Sequence, residues 1–274
     1  MDFGATDAPL TDHQLASSPN GPILHVPVTL GVVTISYHLD GVSARLKFTG
    51  ALLAAIYLGA ITWWNDPALQ QLNPGVALPH VAIQVLHRSD GSGTTAIFTQ
   101  YLATISPAWK ARVGASTTVH WPTGQGEQGS GGVANALKST EGAIGYIEWS
   151  YVVQQHLPAA LLQNQAGAFL APSIAGAQAA AASFPSIPTD LRFYIVNAPG
   201  ANAYPIAGYS WVIVYQHQSD PQKGKALATL LWWMVHQGQQ YAEPLFYAPL
   251  PATMVSHDEA QIHRLTGGST RQPC

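Results

Sequence analysis

The chain has 274 residues and a formal charge of −3, from 11 Lys and Arg against 14 Asp and Glu. Its length allows one large domain or two of about 100–150 residues each, and its charge supplies no basic field for nucleic acid. Charged residues are only 9% of the chain, far below the roughly 25% of an average soluble protein, so a small anion has to be captured by local groups.

The first 20 residues read as turn-rich, with a short helix near residues 12–15. Residues 27–37, rich in β-branched side chains, read as a long buried strand. An apolar helix follows over 51–58, then a second short helix that ends at Asn73-Pro74-Gly75, a stop signal. Residues 81–86 read as a strand, and 96–102 carry apolar residues at helical spacing. The stretch 121–132 is polar and glycine-rich and reads as a mobile loop. A helix over 133–138 and a short buried strand over 142–147 come next. The Ala-rich stretch 166–183 reads as helical from about Ser173. Strands are expected over 191–196 and 209–215, and the clearest helix over 224–237, with Leu227, Leu230, Leu231 and Met234 on one face. Past about Leu265 the chain reads as a loose tail. Strands alternating with helices argue for an α/β fold.

Between the strand at 81–86 and the helix at 96–102 lies His87-Arg88-Ser89-Asp90-Gly91-Ser92-Gly93-Thr94-Thr95. A helix start offers unpaired N–H groups and the positive end of its dipole. Small residues let a ligand reach that backbone, and the Ser92 and Thr94 hydroxyls add donors. Arg88 adds a planar cationic fork suited to oxyanions, and Asp90, two residues on, shares its side of an extended segment. Two readings stand: a routine Ser/Thr cap and a small-oxyanion site. Gly129-Ser130-Gly131-Gly132-Val133 reads either as a second anion turn or as a plain connection. Asp7, before Ala8-Pro9, reads as a turn residue. At an anion site it would select a ligand that carries a proton to donate, as monohydrogen phosphate does and sulfate does not.

Other chemistries find little support. There is no phosphate-loop or dinucleotide fingerprint and no nucleophile elbow. The eleven histidines are scattered without metal-ligand spacing, so no metal and no cofactor is expected. The lone cysteine, Cys274, leaves no internal disulfide. No apolar run approaches the roughly 20 residues of a membrane span, and no signal peptide is legible. The eight tryptophans read as core and domain-face packing.

Several segments together resemble the periplasmic phosphate-binding protein of bacterial phosphate ABC transporters. They are Asp2-Phe3-Gly4-Ala5-Thr6-Asp7-Ala8-Pro9-Leu10, Ile56-Tyr57-Leu58-Gly59, Trp64-Asn65-Asp66-Pro67, Leu72-Asn73-Pro74-Gly75, Arg88-Ser89-Asp90-Gly91-Ser92-Gly93-Thr94, Gly142-Ala143-Ile144-Gly145-Tyr146 and Tyr204-Pro205-Ile206. They stand in the family's order and cover essentially the whole chain.

The resemblance implies a two-lobed type II periplasmic-binding-protein fold that closes on inorganic phosphate about a hinge. By position, residues 1–30 with 208–274 form the first lobe and 31–207 the second. Asp7 matches the family residue that accepts the phosphate proton. Arg88 matches the one that pairs with the anion, held by Asp90. Ser92, Gly93 and Thr94 match donors of hydrogen bonds. The implied role is to bind without chemistry, in the periplasm, and to deliver phosphate to the membrane permease subunits of an ABC importer. A phosphatase-like activity or a non-binding remnant on the same scaffold is the alternative. The family carries some 50 residues before the segment matching 2–9. The chain therefore reads as truncated at its N-terminus, with an exposed sheet edge expected in the first lobe.

Overall fold

The computed structural model describes residues 2–184 and 186–267. The chain opens with a short strand β1 (Gly4–Thr6), a helix α1 (Asp12–Ala16) and the 15-residue strand β2 (Ile23–Tyr37). There follow β3 (Lys47–Phe48), α2 (Gly50–Tyr57), α3 (Pro67–Leu72), β4 (Gln84–Arg88), α4 (Gly93–Ile105) and α5 (Pro107–Arg112). The middle is completed by β5 (Gln125–Glu127), α6 (Gly129–Ser139), β6 (Ala143–Glu148), α7 (Trp149–Gln154), β7 (Leu161–Gln163), β8 (Phe169–Leu170) and α8 (Ile174–Ala182). Then come β9 (Ala207–Tyr215), α9 (Pro221–Val235), two 3-10 turns (Gln237–Tyr241 and Glu243–Leu245) and α10 (Ala252–Ile262).

The strands form a six-stranded sheet, β1-β9-β2-β6-β4-β5, and a three-stranded one, β3-β7-β8. The fold is a mixed α/β one of two lobes, and β2 runs through both. Its first part lies antiparallel to β9, down to Val32 opposite Ala207. From Val33, opposite Glu148, its partner is β6. The Val33 N–H also donates to Ile206 O at 2.9 Å, so a second chain crossing lies beside the first. Strand β1 forms the sheet's edge, and Phe3 beside it is 40% exposed.

Proline inside a strand removes a ladder donor, and sheets tolerate it at bulges. The register of β2 shifts between Pro27 and Thr29, which leaves Val28 as the extra residue of a bulge. The side-chain amide of Gln239 donates to Val28 O at 2.8 Å, so the bulged carbonyl is satisfied. Next along β2, Gly31 stands opposite Gly208. A Cβ on Gly208 would lie 2.5 Å from Ile97 Cδ1, and one on Gly31 would lie 2.8 Å from Glu148 Oε1. The bare glycine pair therefore lets α4 and the end of β6 press against the crossing strands.

Apolar side chains from both parts join one large core cluster. Three tryptophans in it are fully buried, and each indole N–H finds a carbonyl at 2.8 Å: Trp64 to Gly142, Trp109 to Gly114 and Trp211 to Leu191. Trp63 and Trp233 are 43% exposed.

Several expectations need correction. Residues 191–196 are not a strand. Leu191 and Asn197 take left-handed φ values of 57° and 53°, which strand geometry forbids. The segment is instead held by the Trp211 indole on Leu191 O and by the Arg192 guanidinium on Leu10 O. The polar stretch at 121–132 is ordered by pairing: β5 runs parallel to β4, with Arg88 opposite Glu127. The strand expected over 81–86 lies at 84–88, so it ends on Arg88 itself. Helix α10 was not expected, because its buried stripe of Met254, Asp258, Gln261 and Ile262 includes two polar residues and hides the amphipathic pattern. Thr266 is tied down, its N–H donating to Gln216 O at 2.9 Å. The rest of the expected tail, including Cys274, lies outside the described residues.

Candidate functional site

Strand β4 ends on Arg88 and α4 begins at Gly93, so the intervening turn puts a cation beside a helix start. Ser92 is the N-cap, in extended backbone geometry, and its hydroxyl accepts from Thr95 N–H at 3.2 Å. Its own N–H donates to Thr117 O at 2.9 Å, which pins the turn from behind. The N–H groups of Gly93 and Thr94 lie in the first turn, where a helix has no internal acceptor for them. Ser92 and Thr94 are both buried. The turn is thus at once a cap and a set of donors without helical acceptors.

Arg88 is held by a fork-to-fork pair with Asp90. Nε donates to Oδ1 at 2.7 Å and Nη2 donates to Oδ2. Nη1 donates to Ser130 Oγ at 3.2 Å. Among the described residues these contacts engage three of the five guanidinium N–H groups, which leaves two for a ligand. Asp90 Oδ1 also accepts from Gly129 N–H at 3.1 Å. The Arg88 hydrogen bonds, together with that N–H, hold the Asp90 carboxyl well below the usual carboxylate range. Behind them the Tyr146 hydroxyl accepts from Arg88 N–H at 3.0 Å and meets Thr95 Oγ1 at 2.6 Å.

Asp7 arrives from the other side, one residue past β1. Thr6 shapes the turn, its hydroxyl donating to Ala8 O and accepting from Ala8 N–H. Strand β9 then sets Ser210 beside Asp7, and the Ser210 hydroxyl donates to Asp7 Oδ1. Asp7 packs directly on Gly93: a Cβ there would lie 2.6 Å from Asp7 Oδ2. Burial raises the Asp7 carboxyl above its ordinary value, while the Ser210 hydrogen bond and the Arg88 charge work against that rise. The arrangement is one buried acceptor facing a cluster of donors and a fixed cation.

The sequence-predicted residues therefore converge. Asp7, Gly93 and Ser92–Thr94 meet at the start of α4, and Arg88 with Asp90 flank it. Sequence reading assigned no partner role to Ser210 on Asp7 or Tyr146 behind Arg88, and it gave Gly129 and Ser130, which meet the Asp90–Arg88 pair, only within a turn of two readings. The signal at Gly129-Ser130 was noted only as one of two readings. The structure shows that second glycine-rich turn reaching Arg88. Away from this site, His38, Asp40 and Glu141 are the grouping of possible metal ligands among the described residues, and both carboxylates face solvent.

A family model described as a PBP superfamily domain matches residues 1–237. The phosphate-binding protein PstS of Xylella fastidiosa strain Temecula1 is 38% identical over 262 residues, covering 95% of this chain and 71% of that protein. The one from Pasteurella multocida is 39% identical over 263 residues, covering 95% and 76%. The chain belongs to the PstS phosphate-binding protein family. Solved structures share its fold at lower identity. A high-affinity periplasmic phosphate-binding protein bound with phosphate aligns with a TM-score of 0.77 at 19% identity, over 100% of this chain and 84% of that one. The phosphate-binding protein of Stenotrophomonas maltophilia aligns at 0.72 and 18%, over 95% and 79%. The two-lobed fold with β2 spanning both parts is thus the periplasmic-binding-protein fold of the PstS family. No helix among the described residues is long and apolar enough to cross a membrane.

Proposed function

We propose that this chain binds inorganic phosphate between its two lobes and delivers it to the membrane permease subunits of a phosphate ABC importer. It works as a periplasmic binding protein rather than as an enzyme. Gly93 and Thr94 N–H groups and the Ser92 and Thr94 hydroxyls serve the anion's oxygens, and the free N–H groups of Arg88 pair with its charge. Asp90 holds Arg88 in place. Asp7 accepts the proton of monohydrogen phosphate.

The observation that carries this reading is Asp7 set against the start of α4. A carboxylate among anion donors repels any anion that lacks a proton for it. Sulfate is thereby refused and monohydrogen phosphate admitted. The lobes are residues 1–30 with 208–274, and 31–207. The change of partner along β2, from Ala207 at Val32 to Glu148 at Val33, supports a hinge two residues past that boundary.

The test is isothermal titration of the chain with phosphate, with sulfate as control. Phosphate-selective binding is the expected result. A folded protein that takes up neither anion, or both equally, overturns the reading.

A further inference from the structure

Glu148 closes β6 and stands at the N-cap of α7, yet its side chain makes no capping hydrogen bond to that helix. It turns instead into the notch beside Gly31, where the missing Cβ leaves room for Oε1. There Oε1 is shut off from solvent and has no hydrogen-bond partner among the described residues. The position is not incidental. Glu148 is paired with Val33, the first residue of β2 that belongs to β6, and the notch lies two residues back, on the β9 side of the switch.

A carboxylate with one oxygen buried and unpaired is costly unless it is neutral. We infer that Glu148 is a positioning residue of the anion site: seated as a neutral carboxyl in the Gly31 notch, it holds the strand crossing closed and leaves Asp7 as the charged acceptor. The inference rests on the phosphate reading above. Burial pushes the Glu148 carboxyl up to about 8, the Asp7 charge adds to the rise, and the Val32 N–H opposes it. The groups packed around it come from three elements. Asp7 lies on the turn after β1, Val32 on β2, and Tyr247 on the segment before α10, itself influenced by Ser150 and Tyr151 of α7. The Tyr247 hydroxyl is pushed up to about 12 by burial and by the Glu148 and Asp7 charges, so it stays neutral while Glu148 titrates. Arg88 acts on this group of charges through Asp7.

The sign of the coupling follows. Below about pH 8 the unliganded protein carries the Glu148 proton. Above it, the unliganded protein loses that proton, whereas a phosphate dianion beside Asp7 favours keeping it. Phosphate binding then takes up a proton and weakens as pH rises, by at most tenfold per unit. Phosphate's own second ionisation overlaps the lower end of this range, but it contributes equally to wild type and to Glu148→Gln, so the difference between the two isolates Glu148.

The experiment titrates the full chain with inorganic phosphate from pH 7 to 9.5, in two buffers of different ionisation enthalpy, beside Glu148→Gln. Relative to Glu148→Gln, wild type is expected to show proton uptake rising from near zero towards one, with a matching fall in affinity. Glu148→Gln is expected to keep only the part due to phosphate itself. An equal fall in the variant, or none in wild type, overturns the inference. Infrared spectra of the unliganded protein give a readout independent of phosphate. A protonated-carboxyl band present at pH 7, titrating near pH 8 and missing in Glu148→Gln, supports the inference, and its absence overturns it. A wild type that binds no phosphate at any pH removes the functional reading, and the infrared band then decides Glu148 alone. Should Glu148→Gln fail to fold, Gly31→Ala serves: its Cβ crowds Oε1 out of the notch, and the infrared midpoint is expected to fall. An unmoved midpoint overturns the inference.

Discussion

Asp7 and Gly93 touch although 86 residues separate them: the Asp7 side chain fills the space that a Cβ on Gly93 would need, with Oδ2 only 2.6 Å from that point. One residue follows the edge strand β1 and the other opens α4, so their contact ties the start of the described chain to the start of that helix.

Gly93→Ala should therefore push Asp7 away from the start of α4 without harming the helix behind it. We expect phosphate affinity to fall by about ten- to a hundredfold, equivalent to about 1.4–2.8 kcal/mol, with the circular dichroism spectrum unchanged. Titration of the variant checks this, and wild-type affinity would sink it.

Arg88 offers a fork, and Asp90 uses one edge of it. Arg88→Lys keeps the charge but loses the paired geometry, so an affinity loss of about tenfold or more is expected from a charge-assisted bond worth about 1.5–3 kcal/mol. Arg88→Ala should lose still more. Asp90→Asn should act in the same direction, because the guanidinium is then free to turn. Comparing the three by titration under one buffer separates charge from orientation. A Lys variant equal to wild type would show that the fork is unimportant.

Asp7→Asn keeps an oxygen for the Ser210 hydroxyl but replaces an acceptor with a donor on the cleft side. The barrier to sulfate disappears with the negative charge. The ratio of phosphate to sulfate affinity is expected to fall by at least about a hundredfold, since rejection by an unpaired buried group is a large effect. Competition between the two anions measures it directly.

Asp258 sits on the buried face of α10, with neither carboxyl oxygen hydrogen-bonded among the described residues. Burial pushes it up to about 9, and the neighbouring Glu259 charge adds to this. The folded protein keeps this proton up to about pH 9, whereas the unfolded chain releases it near 4. Between those values the unfolded state binds fewer protons, so stability falls as pH rises. Asp258→Asn removes that liability. Its melting temperature should exceed wild type by several degrees at pH 8 and by much less at pH 5. Thermal scans at the two pH values test the difference.

The half of the site that lies in one stretch of chain was legible in the sequence. Arg88, Asp90 and the Ser92–Thr94 turn carry their meaning in local order: strand, cation, glycine, helix. Their partners carry none. Ser210 is 203 residues from Asp7, and nothing in a Tyr-Ser-Trp strand marks the serine as a carboxylate's donor. Glu148 lies just past the strand expected over 142–147, and nothing local marks it, because the seating of its side chain depends on a glycine notch in another strand. The mistaken strand over 191–196 failed for a related reason. Apolar β-branched residues mark burial, and this buried segment is held by side chains from afar rather than by a ladder. Helix α10 was hidden by the same property that makes it interesting, an acid where an apolar residue belongs.

The pairing of β2 with β9 also sets an order of events during synthesis. Residues 23–32 form the apolar half of a strand whose partner begins at Ala207, and β1 pairs with that partner at Gly4 opposite Ile213. A nascent chain must therefore carry this stretch unpaired until the residues from Ala207 onward have been made. Such remote closure is slow and leaves sticky backbone exposed. The strand that changes partner from β9 to β6 is thus the segment that a holding chaperone would recognise first.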